Sequence, residues 1–248
     1  MKHVTALVKK AEKGEQFTKD DLVFLYEIDS KIKGFGYKKD PRIVELRKMR
    51  NPREDASIVL DCTPDQIATT QAEITENTKA YIGPLFPGIF KRDLEHIYTS
   101  FPEGKIKKTE MTVHPLLKEE ALEAYRKSGG DTWIWPELEK NMPYTTPKED
   151  VLDVFLLGFG KSVSSDDALA EMDRLGVRPL TYEELIQYGI VDPESQKKNT
   201  LVALGSKHSL RGGPRAPTLD VGGDKRCLGA NFWDDGWYDR YRFPVVRK

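Results

Sequence analysis

Cysteine is nearly absent from this chain: Cys62 and Cys227 are the only two, and they lie far apart in sequence. A disulfide framework is therefore not expected, and a reducing cytosol is the default compartment. Long apolar runs are lacking as well, so no segment reads as a membrane span. The first residues, Met1-Lys2-His3-Val4, lack the apolar core of a signal peptide, which again makes a cytoplasmic location the expectation. Net charge is scarce too. The formal value is −1 although 32% of the residues are charged, a balance that favours solubility without global attraction to nucleic acid or acidic membranes. Histidine is rare, and His3, His96, His114 and His208 show neither metal-ligand spacing nor a partner for Cys or Ser catalysis. No internal repeat is visible.

What remains is ordinary globular material. With 248 residues, 38% of them hydrophobic, the chain can build one large core or two small ones. Its charge is unevenly placed. From Leu201 onward nine Lys/Arg face five Asp, giving +4, while the remainder carries 30 basic against 35 acidic residues, or −5. This end also contains no Glu, Gln or Met. The absence of those strong helix formers predicts strands and loops there.

Residues 1 to about 147 read as mainly helical. Val4 to Ala11 has apolar residues at helical spacing. Thr18 and Asp21 form a capping-box pattern before Leu22-Val23-Phe24-Leu25-Tyr26. Thr63, Pro64 and Gln66 open a helix expected to run through Ile67, Ile74 and Ala80 to Gly83-Pro84. Leu116 to Arg126 is amphipathic and ends at Gly129-Gly130. The segment Asn141 to Pro147 reads as a linker.

After the linker the pattern changes. Val151 to Leu157 is a short apolar run with β-branched members, a buried strand. Ser164 with Asp167 and Thr181 with Glu184 are capping boxes for two helices, expected to end at Gly176 and Gly189. Leu201 to Leu204, Ala216 to Val221, Arg226 to Phe232 and Arg242 to Arg247 follow as strands. The predicted class is α+β: a mainly helical part over 1–147, then over 148–248 two helices on a small antiparallel sheet.

Alternation along those strands separates two kinds of residue. Leu228 and Ala230 suit a core, and so do Leu219 and Val221. Cys227, Gly229 and Asn231, like Thr218, Asp220 and Gly222, share no chemistry. Phe232 and the aromatic loop Trp233 to Tyr241 come next. Trp233 and Trp237 are expected as core anchors. Tyr238, Arg240 and Tyr241 suit binding, since aromatic side chains give large contact area at low entropic cost.

Two segments carry a family resemblance. Gly176-Val177-Arg178-Pro179-Leu180 followed by Thr181-Tyr182-Glu183-Glu184-Leu185 is similar to the R-L-P-T-x-x-E-W segment of the formylglycine-generating-enzyme branch of the C-type lectin fold. Arg242-Phe243-Pro244-Val245-Val246-Arg247 resembles that fold's closing G-F-R-V-V strand, with Arg and Phe transposed and no preceding Gly. Together they resemble the variable proteins of diversity-generating retroelements, over residues 148–248. The resemblance implies a C-terminal lectin-type domain with a hypervariable ligand site, here about 209–241, and no cofactor. It also implies variation at adenine-rich codons, which reach Phe, Tyr, Cys, Arg, Gly, Asp, Thr or Asn but never Trp, Lys, Glu, Gln or Met. Thr218, Asp220, Gly222, Cys227, Gly229, Asn231, Phe232, Asp235, Gly236, Tyr238, Arg240 and Tyr241 all obey that restriction. Trp233 and Trp237 do not, and are expected as fixed scaffold. The earlier residues would then form a display or assembly domain.

Catalytic alternatives find little support in the residues. Formylglycine-generating enzymes use cysteines near this end, and here only Cys227 is present, on the mixed face. Trp233-Asp234-Asp235 is similar to the Trp-Asn-Asp triplet of calcium-dependent lectins, but one triplet cannot supply the roughly six to eight oxygens that calcium takes. Gly160-Lys161-Ser162 follows an apolar strand as in a P-loop, but Phe155 stands where that pattern requires glycine. Asp93, Glu95, Glu119 and Glu120 read as solvated carboxylates, and Lys105 to Lys108 as a solvated basic loop. The expectation is a non-enzymatic protein whose partner is a protein or other macromolecule, with oligomerisation left open. A catalytic relative of the formylglycine-generating enzymes and a purely structural protein are the alternatives.

Overall fold

The computed structural model describes residues 2–29, 32 and 40–248. The chain is a mixed α+β protein that divides into two compact units, Met1–Leu85 with Asp93–Lys105, and Phe86–Arg92 with Ile106–Lys248. No helix among the described residues is long and apolar enough to cross a membrane.

The first unit begins with α1 (Lys2–Glu12), α2 (Lys19–Leu25), α3 (Pro41–Lys48) and α4 (Pro52–Val59). Local chemistry explains their starts. The Thr18 hydroxyl accepts from the Asp21 N–H and the Asp21 carboxylate from the Thr18 N–H, closing the expected capping box. Asp40 and Asn51 cap α3 and α4, each with proline at the first position. Leu7, Leu22, Leu25, Ile43 and Ala56 fill the core between these helices.

The helix expected from Thr63 to Gly83 is corrected to two 3-10 turns, Pro64–Gln66 and Gln71–Glu73, and to short strands. These are β1 (Ile67–Ala68), β2 (Ala80–Ile82), β3 (His96–Tyr98) and β4 (Lys105–Ile106), in that order in one sheet. Gln66 does reach back to accept from the Thr63 N–H at 2.9 Å, but a cap signals only a first turn. Beyond it Ile67 and Ala68 pair in parallel with Ala80 and Tyr81, while Glu73 accepts from the Thr69 and Thr70 N–H groups that a helix would have used.

The second unit is built on a sheet of order β5-β7-β13-β9-β11-β12-β6. Its elements are β5 (Lys108–Val113), α5 (Lys118–Lys127), β6 (Thr132–Ile134), α6 (Pro136–Asn141), β7 (Asp150–Leu157), α7 (Ser165–Leu175), β8 (Val177–Pro179), α8 (Tyr182–Val191), α9 (Pro193–Lys198), β9 (Thr200–Val202), β10 (His208–Leu210), β11 (Gly213–Gly222), β12 (Lys225–Phe232) and β13 (Tyr241–Arg247). β8 pairs with β13 and β10 with β11 at the margins. The sheet is mixed rather than purely antiparallel, because β13 runs parallel to β9 and β12 parallel to β6.

The boundary expected at residue 147 lies inside this unit. β5 pairs with β7 from Lys108↔Phe155 to Val113↔Asp150, and β6 pairs with β12. The polar segment 141–147 is a tied-down connector: Tyr144 donates to the Leu116 carbonyl at 3.0 Å, and the Thr145 N–H donates to Glu183 at 2.8 Å. Gly189 does not end α8 either. A Cβ there would stand 2.8 Å from Leu219 Cδ1 and 2.8 Å from Tyr125 Cε2, so this glycine serves close approach of α5, α8 and β11 rather than helix termination.

Candidate functional site

Strand pairing sorts the residues of β11 and β12 onto two faces, because directly paired side chains point the same way. Leu219 pairs with Leu228 and with Leu201, and these belong to the core with Leu185 of α8 and Tyr125 of α5. The intervening residues make the other face. Thr218 lies opposite Gly229, Asp220 opposite Cys227, and Ala216 opposite Asn231.

The face extends across five strands. Cys227 pairs with Trp133 of β6, Asp220 stands one step past the Leu219↔Leu201 pair and so beside Thr200 of β9, and Thr200 pairs with Tyr241 of β13. One row thus reads Trp133, Cys227, Asp220, Thr200, Tyr241. Its middle has low relief. A Cβ on Gly229 would meet only Thr218 Oγ1, at 3.7 Å, and one on Gly222 only Cys227 Sγ, at 3.1 Å.

The loop between β12 and β13 borders this face and is anchored from below. Ser165 Oγ donates to the Trp233 carbonyl at 2.6 Å and accepts from Trp237 Nε1 at 2.9 Å. Val163 and Trp237 exchange two backbone hydrogen bonds. Both tryptophans are buried, and Trp237 meets Tyr241 edge-on at 5.3 Å. The exposed Tyr238 lies 6.4 Å from Tyr241.

Most of the expected ligand residues keep solvent access: Asp220, Gly222, Cys227, Gly229, Asn231, Asp235, Gly236, Tyr238 and Arg240. Three placements need correction. Thr218 is 1% exposed and is interior. Tyr241 is largely buried, leaving Tyr238 as the accessible aromatic of the pair. Phe232 keeps solvent access but alternates onto the opposite face, where the Arg215 guanidinium lies 3.6 Å from its ring centre and also reaches Trp135 at 5.0 Å.

Burial pushes the Cys227 thiol above its usual range, which disfavours the thiolate. Burial also pushes the Asp220 carboxyl upward, with the Arg240 charge opposing. No group of three or more His, Cys, Asp or Glu arranged to hold a metal ion occurs among the described residues.

Three contributors escape strand-by-strand inspection. Ser165 is a helix residue that supports the loop. Trp133 precedes the expected domain, although Thr132-Trp133-Ile134-Trp135 alternates as a strand would. Arg226 shares the parity of Leu228 and is buried at 3% exposure. Its guanidinium donates to Gln196 Oε1, to the Gly129 and Gly189 carbonyls and to Ser128 Oγ, with no carboxylate among these partners.

No family model matches this sequence, and neither a curated protein nor a solved structure matches it.

Proposed function

We propose that this is a ligand-binding protein whose C-terminal surface is diversified by a retroelement, rather than an enzyme. One observation carries the proposal. Asp220, Cys227, Gly229 and Asn231 on β11 and β12 lie on one face, bordered by an aromatic loop, while Leu219 and Leu228, which alternate with them, belong to the core; Val221, expected there too, is exposed at the strand end. A surface organised in this way can change its side chains without changing its packing.

In this reading the portion around 148–248 is a C-type-lectin-like domain, to which β5, α5 and β6 are additions, and the first unit is a display or assembly element in the cytoplasm. Trp233 and Trp237 are framework. Binding energy comes from a few aromatic and arginine anchors, with Asp and Asn adding hydrogen bonds. Tyr238 and Arg240 are the anchors with solvent access. The raised Cys227 thiol favours this over catalysis of the formylglycine-generating kind.

The encoding DNA provides the test. A near-identical template repeat beside a reverse-transcriptase gene, differing from codons 209–241 only at adenines, is the expected result. Absence of that repeat, or mismatches at other bases, overturns diversification.

A further inference from the structure

Trp133 is unusual among the tryptophans of this chain. Trp233 and Trp237 are buried and Trp135 engages Arg215, but Trp133 is 44% exposed and its indole donates no hydrogen bond to any described residue. It stands on edge strand β6, on the same face as Cys227. At the far end of the row stand Tyr241 and the exposed Tyr238. Four strand spacings of roughly 4.8 Å separate Trp133 from Tyr241, about 19 Å in all. Between these aromatic ends lie Cys227, Asp220 and Thr200, with Gly222 and Gly229 beside them.

Charge on this face departs from the charge of its sequence. The segment after Leu201 is net positive, yet most of its arginines are spent elsewhere. Arg226 is buried, Arg215 covers Phe232 on the opposite face, Arg242 is half-buried against Gly158, and Arg247 bonds the Phe90 carbonyl and pairs with Asp153. The face keeps Asp220, whose carboxylate accepts no hydrogen bond from any described residue, and the bordering loop adds exposed Asp234, Asp235 and Asp239. Of the cations at this face, Arg240 opposes the upward shift of Asp220 and sits over the Tyr241 ring at 5.4 Å, and Lys225 pairs with Asp131 at 3.0 Å.

We infer that the recognition face includes Trp133 as a constant anchor outside the diversified segment, and that its occupant is a protein ridge presenting a lysine or arginine side chain to Asp220. The inference rests on the recognition reading above and narrows it to one partner chemistry. The width of the row and its open, low centre suit a protein element rather than a small metabolite, which pockets enclose. Tryptophan and tyrosine at the ends are the residue types that dominate protein interfaces. A half-desolvated carboxylate without a donor is completed by a cation from the partner.

The probe is a displayed library of short disulfide-closed peptides, selected on the full-length protein and then titrated as synthetic peptides by calorimetry. Selected peptides are expected to be enriched in Lys or Arg. Trp133→Ala and Asp220→Asn are each expected to weaken them by about tenfold, with Trp133→Phe retaining most of the affinity and melting temperatures unchanged. If Tyr238→Ala weakens binding while Trp133→Ala and Asp220→Asn do not, this inference falls and the recognition reading stands. Binding that is insensitive to all three removes both. Peptides without basic residues, or no enrichment over bare beads, overturn the assignment of the occupant.

Discussion

The guanidinium of Arg226 lies 4.6 Å from the ring centre of Tyr125, and both side chains hydrogen-bond the same oxygen, Oε1 of Gln196. Gln196 completes the link by donating from Nε2 to the Asp220 carbonyl at 2.8 Å. A buried cation on β12 thereby joins α5, α8 and α9 to the strand that carries Asp220.

Arg226→Leu is expected to be among the most damaging single changes in the second unit. It leaves the Gly129 and Gly189 carbonyls and the Gln196 amide oxygen short of donors, at a cost of about 3 kcal/mol. Melting followed by circular dichroism is expected to fall by roughly 6–12 °C. Arg226→Lys is expected to be nearly as harmful, since an ammonium cannot reproduce the forked set of bonds. An unchanged melting temperature for either variant contradicts the role.

Two glycines are expected to respond in opposite ways. At Gly189 an added methyl meets Leu219 and Tyr125 at 2.8 Å. Overpacking of about 1–3 kcal/mol exceeds the roughly 1 kcal/mol gained in helix propensity, so Gly189→Ala destabilises. At Gly229 the same methyl meets only Thr218 Oγ1 at 3.7 Å. Gly229→Ala and Gly229→Asn are expected to melt within about 0.5 kcal/mol of the parent. Equal tolerance at both sites would remove the distinction between core and recognition face.

Ser165→Ala tests the anchoring of the aromatic loop. Loss of Oγ strands the Trp237 indole N–H and the Trp233 carbonyl, both buried, at about 2 kcal/mol. The expected signature is lower stability together with weaker binding of any ligand that Tyr238 contacts. Lower stability with intact affinity would show that the loop holds its shape without this serine.

Asp192 makes stability depend on pH. Burial opposes its ionisation, but hydrogen bonds from Lys107, Ser195 and Tyr188 outweigh burial and hold the carboxyl below its ordinary value of 3.8. A depressed folded-state value means that the stabilisation is present above the unfolded value and is lost as pH falls through the folded one. Asp192 also caps α9, a contribution of about 1 kcal/mol. The gap in melting temperature between parent and Asp192→Asn is therefore expected to be full near neutrality and to close below about pH 4. A gap that persists at low pH would assign the effect to packing alone.

Local chemistry was legible along the chain. The caps at Thr18, Ser164 and Thr181 open helices where expected, because a capping box is decided within a single turn. Alternation marked the segments that became β11 and β12, and the closing strand β13 also lies where expected, although it is buried on both faces. Within the candidate site, the assorted character of Asp220, Cys227, Gly229 and Asn231 was likewise visible strand by strand.

Everything that required a distant partner was decided by the tertiary structure. β1, β2 and β3 are two or three residues long and exist only through mutual pairing, so their local signal lost to the Thr63 cap. β5 joins the second unit because its partner β7 lies across the intervening α5, β6 and α6. Thr218 and Asp220 have the same parity, yet one is interior and the other reaches solvent, a difference set by what covers each end of the strand. Composition and spacing alone determined an α+β protein with a patterned, chemically mixed end. That Trp133 belongs to the same face, and that Arg215, Arg226 and Arg247 are engaged away from it, follows from pairing register and burial, which no stretch of sequence contains by itself.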